Sequence, residues 1–132
     1  MLIKFFLPIK TVSEQHVRHG FKTWRRKKSQ NTVARLLTLE QVRFRENLGW
    51  PIFKGTKKTI LLTRVAPRSL DKGDNLPYSM KWVRDGITAG MGEPDDNADH
   101  LEWVYFQRKG KPKEYGVEVQ IEMEIDHADK KA

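Results

Sequence analysis

The chain has 132 residues, 38% of them hydrophobic, with 25 Lys and Arg against 17 Asp and Glu for a net charge of +8, and no cysteine. That length holds one domain with a modest core that needs no disulfide or structural metal. The missing thiols exclude disulfide frameworks, zinc ribbons, CxxC redox motifs and thiol nucleophiles. No apolar run approaches the ~20 residues of a membrane span. The opening Leu2–Leu7, carrying Lys4 and followed by Pro8 and Lys10, does not read as a secretory signal, so a cytoplasmic protein without membrane contact is expected.

In chain order, Ile3, Phe5 and Leu7 alternate with Leu2, Lys4 and Phe6, the pattern of a strand covered on one face and largely on the other. Residues 11 to 30 show no clean period and read as a basic loop with at most one turn of helix. From Thr32 to Leu48, the residues Val33, Leu36, Leu37, Phe44 and Leu48 fall on one helical stripe, ended by Gly49-Trp50-Pro51, which predicts an amphipathic helix. The β-branched and aliphatic run Lys58 to Ala66, between Gly55 and Pro67, predicts a second strand. Asp74 or Asn75 can cap a further helix with Pro77 in its first turn and its stop at Gly90 or Gly92. On that helix Leu76, Met80, Val83 and Ile87 form the core stripe, while Asp74, Tyr78, Lys81 and Asp85 share the opposite side. Leu101 to Gln107 and Tyr115 to Ile125 read as two strands joined in hairpin fashion by residues 108 to 113. In the last strand Val117, Val119, Ile121, Met123 and Ile125 point one way and Glu118, Gln120, Glu122 and Glu124 the other. The expected fold is a single α+β domain over residues 1–126, of β-α-β-α-β-β order with a mixed sheet packed on helices, followed by a polar tail, 127–132.

The charge is unevenly placed. Between His16 and Arg68 stand fourteen Lys or Arg against only Glu40 and Glu46, whereas Glu93 to Glu102 carries five acids and no Lys or Arg. A basic body with a compact acidic cluster suits a protein that holds phosphates and sets a divalent cation among them. Phe21 and Trp24 are interleaved with Arg18, Lys22, Arg25, Arg26, Lys27 and Lys28, which favours a DNA contact by this arm, His19 included, over a merely solvated face, since aromatics stack on bases while cations neutralise phosphates. Trp50, Trp82 and Trp103 are expected to be packing residues.

Asp71 and Asp74 sit where the chain enters the second helix, and Asp95 and Asp96 where it leaves for the next strand. Hard cations such as Mg²⁺ take oxygen ligands, and phosphodiester cleavage uses them to activate water and neutralise the leaving oxygen. A helix of ~15 residues is ~22 Å long. The two acid pairs can therefore share a cation only if the 90–96 segment folds back along the helix or a second subunit supplies one pair. Failing that, Asp74 is a helix cap, Asp95-Asp96 a turn and Lys81 a solvated lysine.

The early His16, Arg18 and His19, the Asp74-Asn75-Leu76 opening of a helix, Lys81 and Arg84-Asp85-Gly86-Ile87 along it, and Asp95-Asp96 before a closing pair of strands carry a resemblance. In their order and spacing the sequence resembles the RusA-like Holliday junction resolvases, small endodeoxyribonucleases of phages and bacteria, best over Arg68 to Glu124. The resemblance implies a Mg²⁺-dependent homodimer, Mn²⁺ being the alternative ion, that nicks four-way or other branched DNA symmetrically in recombination and repair, in a bacterial or phage-infected cell. It implies Asp71, Asp74, Asp95 and Asp96 as metal ligands and Asp74, Lys81 and Asp96 as catalytic residues. Asp74 matches the second carboxylate of the family's Asp-x-Asp-Asn motif and Asp95 or Asp96 its later acid. The family lysine falls where this chain has Tyr78, with Lys81 about one turn further on. Lys72 stands where the family places its first Asp, and Asp71 is one position too early; if Asp71 does not reach the site, DNA binding without cleavage is what survives.

Two alternatives therefore stand beside the nuclease: a non-catalytic DNA-binding protein that has lost part of the metal site, and a protein-interaction module using its acidic last strand and basic arm. No GxxxxGK[ST], GxSxG or HExxH motif points to another enzyme class.

Overall fold

A computed structural model of the chain describes residues 1–11, 21–70 and 76–124. Two helical packing surfaces and one twisted sheet account for them: β1 (Leu2–Leu7), α1 (Phe21–Asn47), β2 (Lys58–Ala66), α2 (Leu76–Ser79), α3 (Lys81–Gly90), β3 (Leu101–Lys109) and β4 (Gly116–Met123). The result is an α+β domain with a mixed four-stranded sheet, as expected. Among the described residues no helix is long and apolar enough to cross a membrane.

The strands form where alternation and β-branching predict them. Val117, Val119, Ile121 and Met123 of β4 are buried, and so are Ile60 and Leu62 of β2 and Ile3 and Leu7 of β1. The other face of β1 is more open than expected, with Leu2 and Phe6 both exposed. The pairing corrects the hairpin. The sheet order is β1-β4-β2-β3: β4 lies antiparallel between β1 and β2, and β3 runs parallel to β2 at the edge. The chain from β3 to β4 steps over the end of β2 instead of turning back on β3, with the Gly110 N–H donating to the Ala66 carbonyl at 2.8 Å. Neighbouring strands are ~4.8 Å apart, so a connection of this length spans the two spacings that separate β3 from β4.

The helices bring two further corrections. Residues 21 to 30 belong to the 27-residue α1 and not to a loop. The large apolar side chains assigned to its buried stripe also divide: Val33 and Leu37 are partly buried, but Leu36, Phe44 and Leu48 are 52%, 60% and 65% exposed. The buried side is built from Gln30, Ala34, Thr38 and Val42, a spacing of four that puts them on one face, with the small Ala34 and Thr38 at its centre. Small residues there let α3 come close. A Cβ on Gly86 would stand 2.4 Å from the Asn31 carbonyl and 2.8 Å from the Ala34 Cβ, and one on Gly90 2.7 Å from the Arg35 carbonyl and from the Thr38 Cβ.

The single helix expected after residue 75 is two. With Pro77 in the first turn, the Met80 N–H closes a tight bond to the Pro77 carbonyl at 3.2 Å, and α3 starts afresh at Lys81. The core stripe holds across the break: Met80, Val83 and Ile87 are fully buried and Leu76 packs beside them.

Candidate functional site

Where α3 ends decides where the acids go. Gly92 takes φ +78°, the left-handed conformation that a residue without Cβ adopts cheaply. Its N–H bonds the Ala89 carbonyl at 3.0 Å and the Glu93 N–H the Thr88 carbonyl at 3.0 Å, the paired bonds of a Schellman stop. The chain thus reverses and Glu93 enters the interior. There its Oε1 accepts from Lys58 Nζ at 2.9 Å and from the Gly55 N–H at 2.7 Å, while Oε2 lies 2.6 Å from His100 Nε2. Lys58 also donates to the carbonyls of Phe53 and Thr56. The Lys58 and Glu93 side chains are both 0% exposed. Burial lowers the Lys58 pKa against the opposing pull of Glu93. For Glu93, burial acts upward, but the bonds from Lys58, Gly55 and His100 together hold its carboxyl below the usual carboxylate range.

Anchored at Glu93 and again at β3, the intervening segment runs back along α3. Arg84 and Trp103 hold it there. The Arg84 guanidinium donates to the Asp96 carbonyl at 3.2 Å, to Asn97 Oδ1 at 3.1 Å and to the Tyr105 hydroxyl at 2.7 Å, and lies 4.8 Å from the centroid of the Trp103 ring. The Trp103 indole N–H donates to the same Asp96 carbonyl at 2.8 Å. The Asp96 carboxylate approaches Arg84 Nε to 2.6 Å, but that N–H is not aligned on it, so the contact is an ion pair without a hydrogen bond.

The fold-back required of the 90–96 segment is therefore present for Asp96. It lines an open pocket of about 270 Å³ with Pro77, Tyr78, Lys81, Arg84, Asn97 and Tyr105, joining the exit from α3 to the entry into α2. Asp85, one residue beyond Arg84 on α3, belongs to the same electrostatic cluster. Burial raises its carboxyl above the usual range and Asp96 adds to the rise, against Lys81 and Arg84. Asp95 is turned away: it is exposed, and its Oδ1 accepts the Asn97 N–H at 2.9 Å in a local turn.

Asp71, Asp74, Arg18 and His19 lie outside the described residues, and Lys22 and Arg26 are described only as α1 backbone. Both borders of the 71–75 stretch are fixed, the later one next to the pocket. Leu70 exchanges two bonds with the Gln107 side chain of β3, at 2.8 and 3.0 Å, and Leu76 packs against the core immediately before Pro77. Among the described residues no group of three or more His, Asp or Glu forms a ready metal site.

The basic arm reaches the same place. Lys27 and Lys28 line a groove of about 290 Å³ between α1 and α3 with Asn31, Thr32, Arg35 and Trp82, while Arg25 is exposed earlier on α1. Trp82 joins groove to pocket, since Lys27 Nζ stands 5.3 Å and Lys81 Nζ 5.5 Å from its ring centroid. Lys81, exposed, lines the pocket and meets the groove through Trp82.

Sequence reasoning did not assign Asp85, Arg84, Trp103 or Tyr105 to the site. Asp85 carried a signal, its place on the acid-bearing side of the helix; Trp103 and Tyr105 carried a fainter one, two aromatics at strand period just after the acids. Nothing in the sequence pairs Lys58 with Glu93. The chain matches no family model and no curated protein sequence.

Proposed function

We propose that the protein is a Mg²⁺-dependent endodeoxyribonuclease of RusA-like type, acting as a homodimer on four-way or otherwise branched DNA. One observation carries this reading: Asp96 and Lys81 line a pocket with Pro77 and Tyr78, three and four residues after Asp74, Asp85 is near enough to Asp96 for the two carboxyls to repel, and Trp82 links Lys81 to a lysine-bordered groove. The donor set suits a hard cation. Asp85 and Asp96 repel each other's ionised forms, a cost that a divalent ion between carboxylates removes. Asp74, Asp96 and Asp85 would hold the ion, with Asp71 if its loop allows and Asp95 if its turn opens. Bound there, Mg²⁺ supplies activation of water and neutralisation of the leaving oxygen.

The chain's own groups do the rest. Lys27, Lys28 and Arg35 draw a strand's phosphates along the groove, and Trp82 offers an aromatic edge to it. Lys81, at the junction, stabilises negative charge as it develops on the phosphate. Arg84 fixes the Asp96 backbone through its carbonyl, so the carboxylate can turn toward a cation without displacing the segment. The exposed Leu36, Phe44 and Leu48 on α1 supply an apolar surface for the homodimer, which gives two symmetric sites for the two strands of a junction.

A second reading, DNA binding without cleavage, is favoured by Lys72 in place of an acid and by the Arg84 ion pair that already satisfies Asp96. A synthetic four-way junction with and without Mg²⁺ separates them. Metal-dependent nicking that is lost in Asp74→Asn and Asp96→Asn, with junction binding kept, supports the nuclease; binding with no nicking by the unaltered protein supports the alternative and rejects the enzyme.

A further inference from the structure

Arg64 is a buried cation that the proposed mechanism does not use. Near the end of β2 it is 7% exposed, its Nε donating to Thr11 Oγ1 at 3.1 Å and its Nη1 to the Arg68 carbonyl at 2.9 Å. Both acceptors are neutral. None of the salt bridges among the described residues includes Arg64. Burial lowers the Arg64 pKa against an opposing electrostatic pull from Tyr115, whose ring carries Lys10 with Nζ 4.5 Å from the centroid. Lys10, next in the chain to Thr11, also lines a groove with Arg25 of α1.

A guanidinium buried against neutral acceptors costs the fold stability, and its planar fork matches the oxygens of a phosphate. In the sheet Arg64 is the register partner of Gln107, which holds Leu70 at the mouth of the 71–75 stretch and follows the pocket's Tyr105 by two residues on the same face of β3. We propose that Arg64, with Lys10 and Thr11, forms a phosphate anchor at the end of β2 that takes a backbone phosphate of the DNA strand running to the Asp96 pocket. The anchor itself follows from the buried cation; only the identity of its ligand rests on the nuclease reading.

Urea unfolding in inorganic phosphate and in chloride at equal ionic strength, together with junction binding across a salt series, tests it on the unaltered protein, Arg64→Met and Lys10→Gln. Phosphate should raise the unfolding midpoint of the unaltered protein and not that of Arg64→Met. Each variant should also lower the slope of log K against log salt by about 0.9, the loss of one phosphate contact. A phosphate effect that is absent or equal in both proteins overturns the anchor, and an unchanged salt slope rejects DNA as its ligand. Phosphate stabilisation that depends on Arg64, with no junction binding by any form, keeps the anchor and rejects DNA as its ligand. Lys10 is exposed, so Lys10→Gln gives the same two readouts if Arg64→Met does not fold.

Discussion

Glu93→Leu removes one member of an ion pair whose side chains are both 0% exposed, at 2.9 Å. Lys58 would be left in the interior with only the Phe53 and Thr56 carbonyls as partners. Breaking a buried pair from one side costs about 3–5 kcal/mol, because the remaining charge is uncompensated. With an unfolding entropy of ~2.1 cal/mol/K per residue, a chain of this size loses ~3–4 °C of Tm per kcal/mol, which puts the fall at roughly 10–18 °C. Lys58→Met should cost a similar amount by stranding Glu93. The double variant removes both charges, so its cost should be no greater than that of either single one, well short of their sum.

Urea unfolding of the four proteins closes the cycle, and the pH dependence supplies a second readout. Because Glu93 is held below its unfolded value, its contribution is complete above the ordinary carboxylate pKa, ~4.3, and is lost as pH falls through the lower folded value. Glu93→Leu should lack that part of the acid transition. The double variant should stay folded yet nick junctions more weakly, since Glu93 anchors the segment that carries Asp96. Additive costs of the two single variants, or full nicking by the double one, would refute the claim that this pair fixes the segment.

Asp85→Asn should stabilise the metal-free protein. A carboxyl raised in the fold favours folding most below its unfolded pKa and loses that advantage as pH rises through the folded one, so thermal unfolding across pH 4–8 should show a flatter decline for Asp85→Asn, and Mg²⁺ should stabilise it less than the unaltered protein. Gly86→Ala should destabilise by about 2–3 kcal/mol in chemical denaturation despite alanine's better helix propensity, because the new Cβ meets the Asn31 backbone carbonyl; a neutral or stabilising result would mean that α1 and α3 are not in such close contact. Phe44→Glu with Leu48→Glu should convert the proposed dimer to a monomer in sedimentation while changing the intrinsic stability of the folded monomer by no more than about 0.5 kcal/mol, as expected for exposed positions; an unchanged mass removes this face from the proposed assembly.

What could be read from the sequence follows how local each cause is. β2 was readable because Thr59-Ile60-Leu61-Leu62-Thr63 favours a strand wherever it packs, and β4 because its alternation continues to Met123. α1 was half readable. Its first turns carry Phe21 and Trp24 among basic residues with no continuing apolar period, and its buried side includes Ala34 and Thr38, whose smallness matters only because Gly86 and Gly90 lie opposite. Strand pairing is less local still: residues 108 to 113 look like a hairpin turn, and only the placement of β2 between β3 and β4 turns them into a crossing.

The candidate site divides in the same way. The residue types that announce metal-assisted phosphate chemistry, clustered carboxylates with lysine and a basic arm, are visible in the chain because chemistry fixes them. Their meeting is another matter. Asp96 reaches the start of α3 through three separate causes: the left-handed turn at Gly92, the burial of Glu93 against Lys58, and the Arg84 contacts to the Asp96 carbonyl, Asn97 and Tyr105. Only the Gly92 stop has a sequence signature. Lys58 and Glu93 lie 35 residues apart, and an ion pair of that separation leaves no pattern in one sequence. The same dependence explains why Asp95, beside Asp96 in the chain, has a different environment: with the Asp96 backbone held from two sides, its neighbour is left at the surface to close a turn on Asn97.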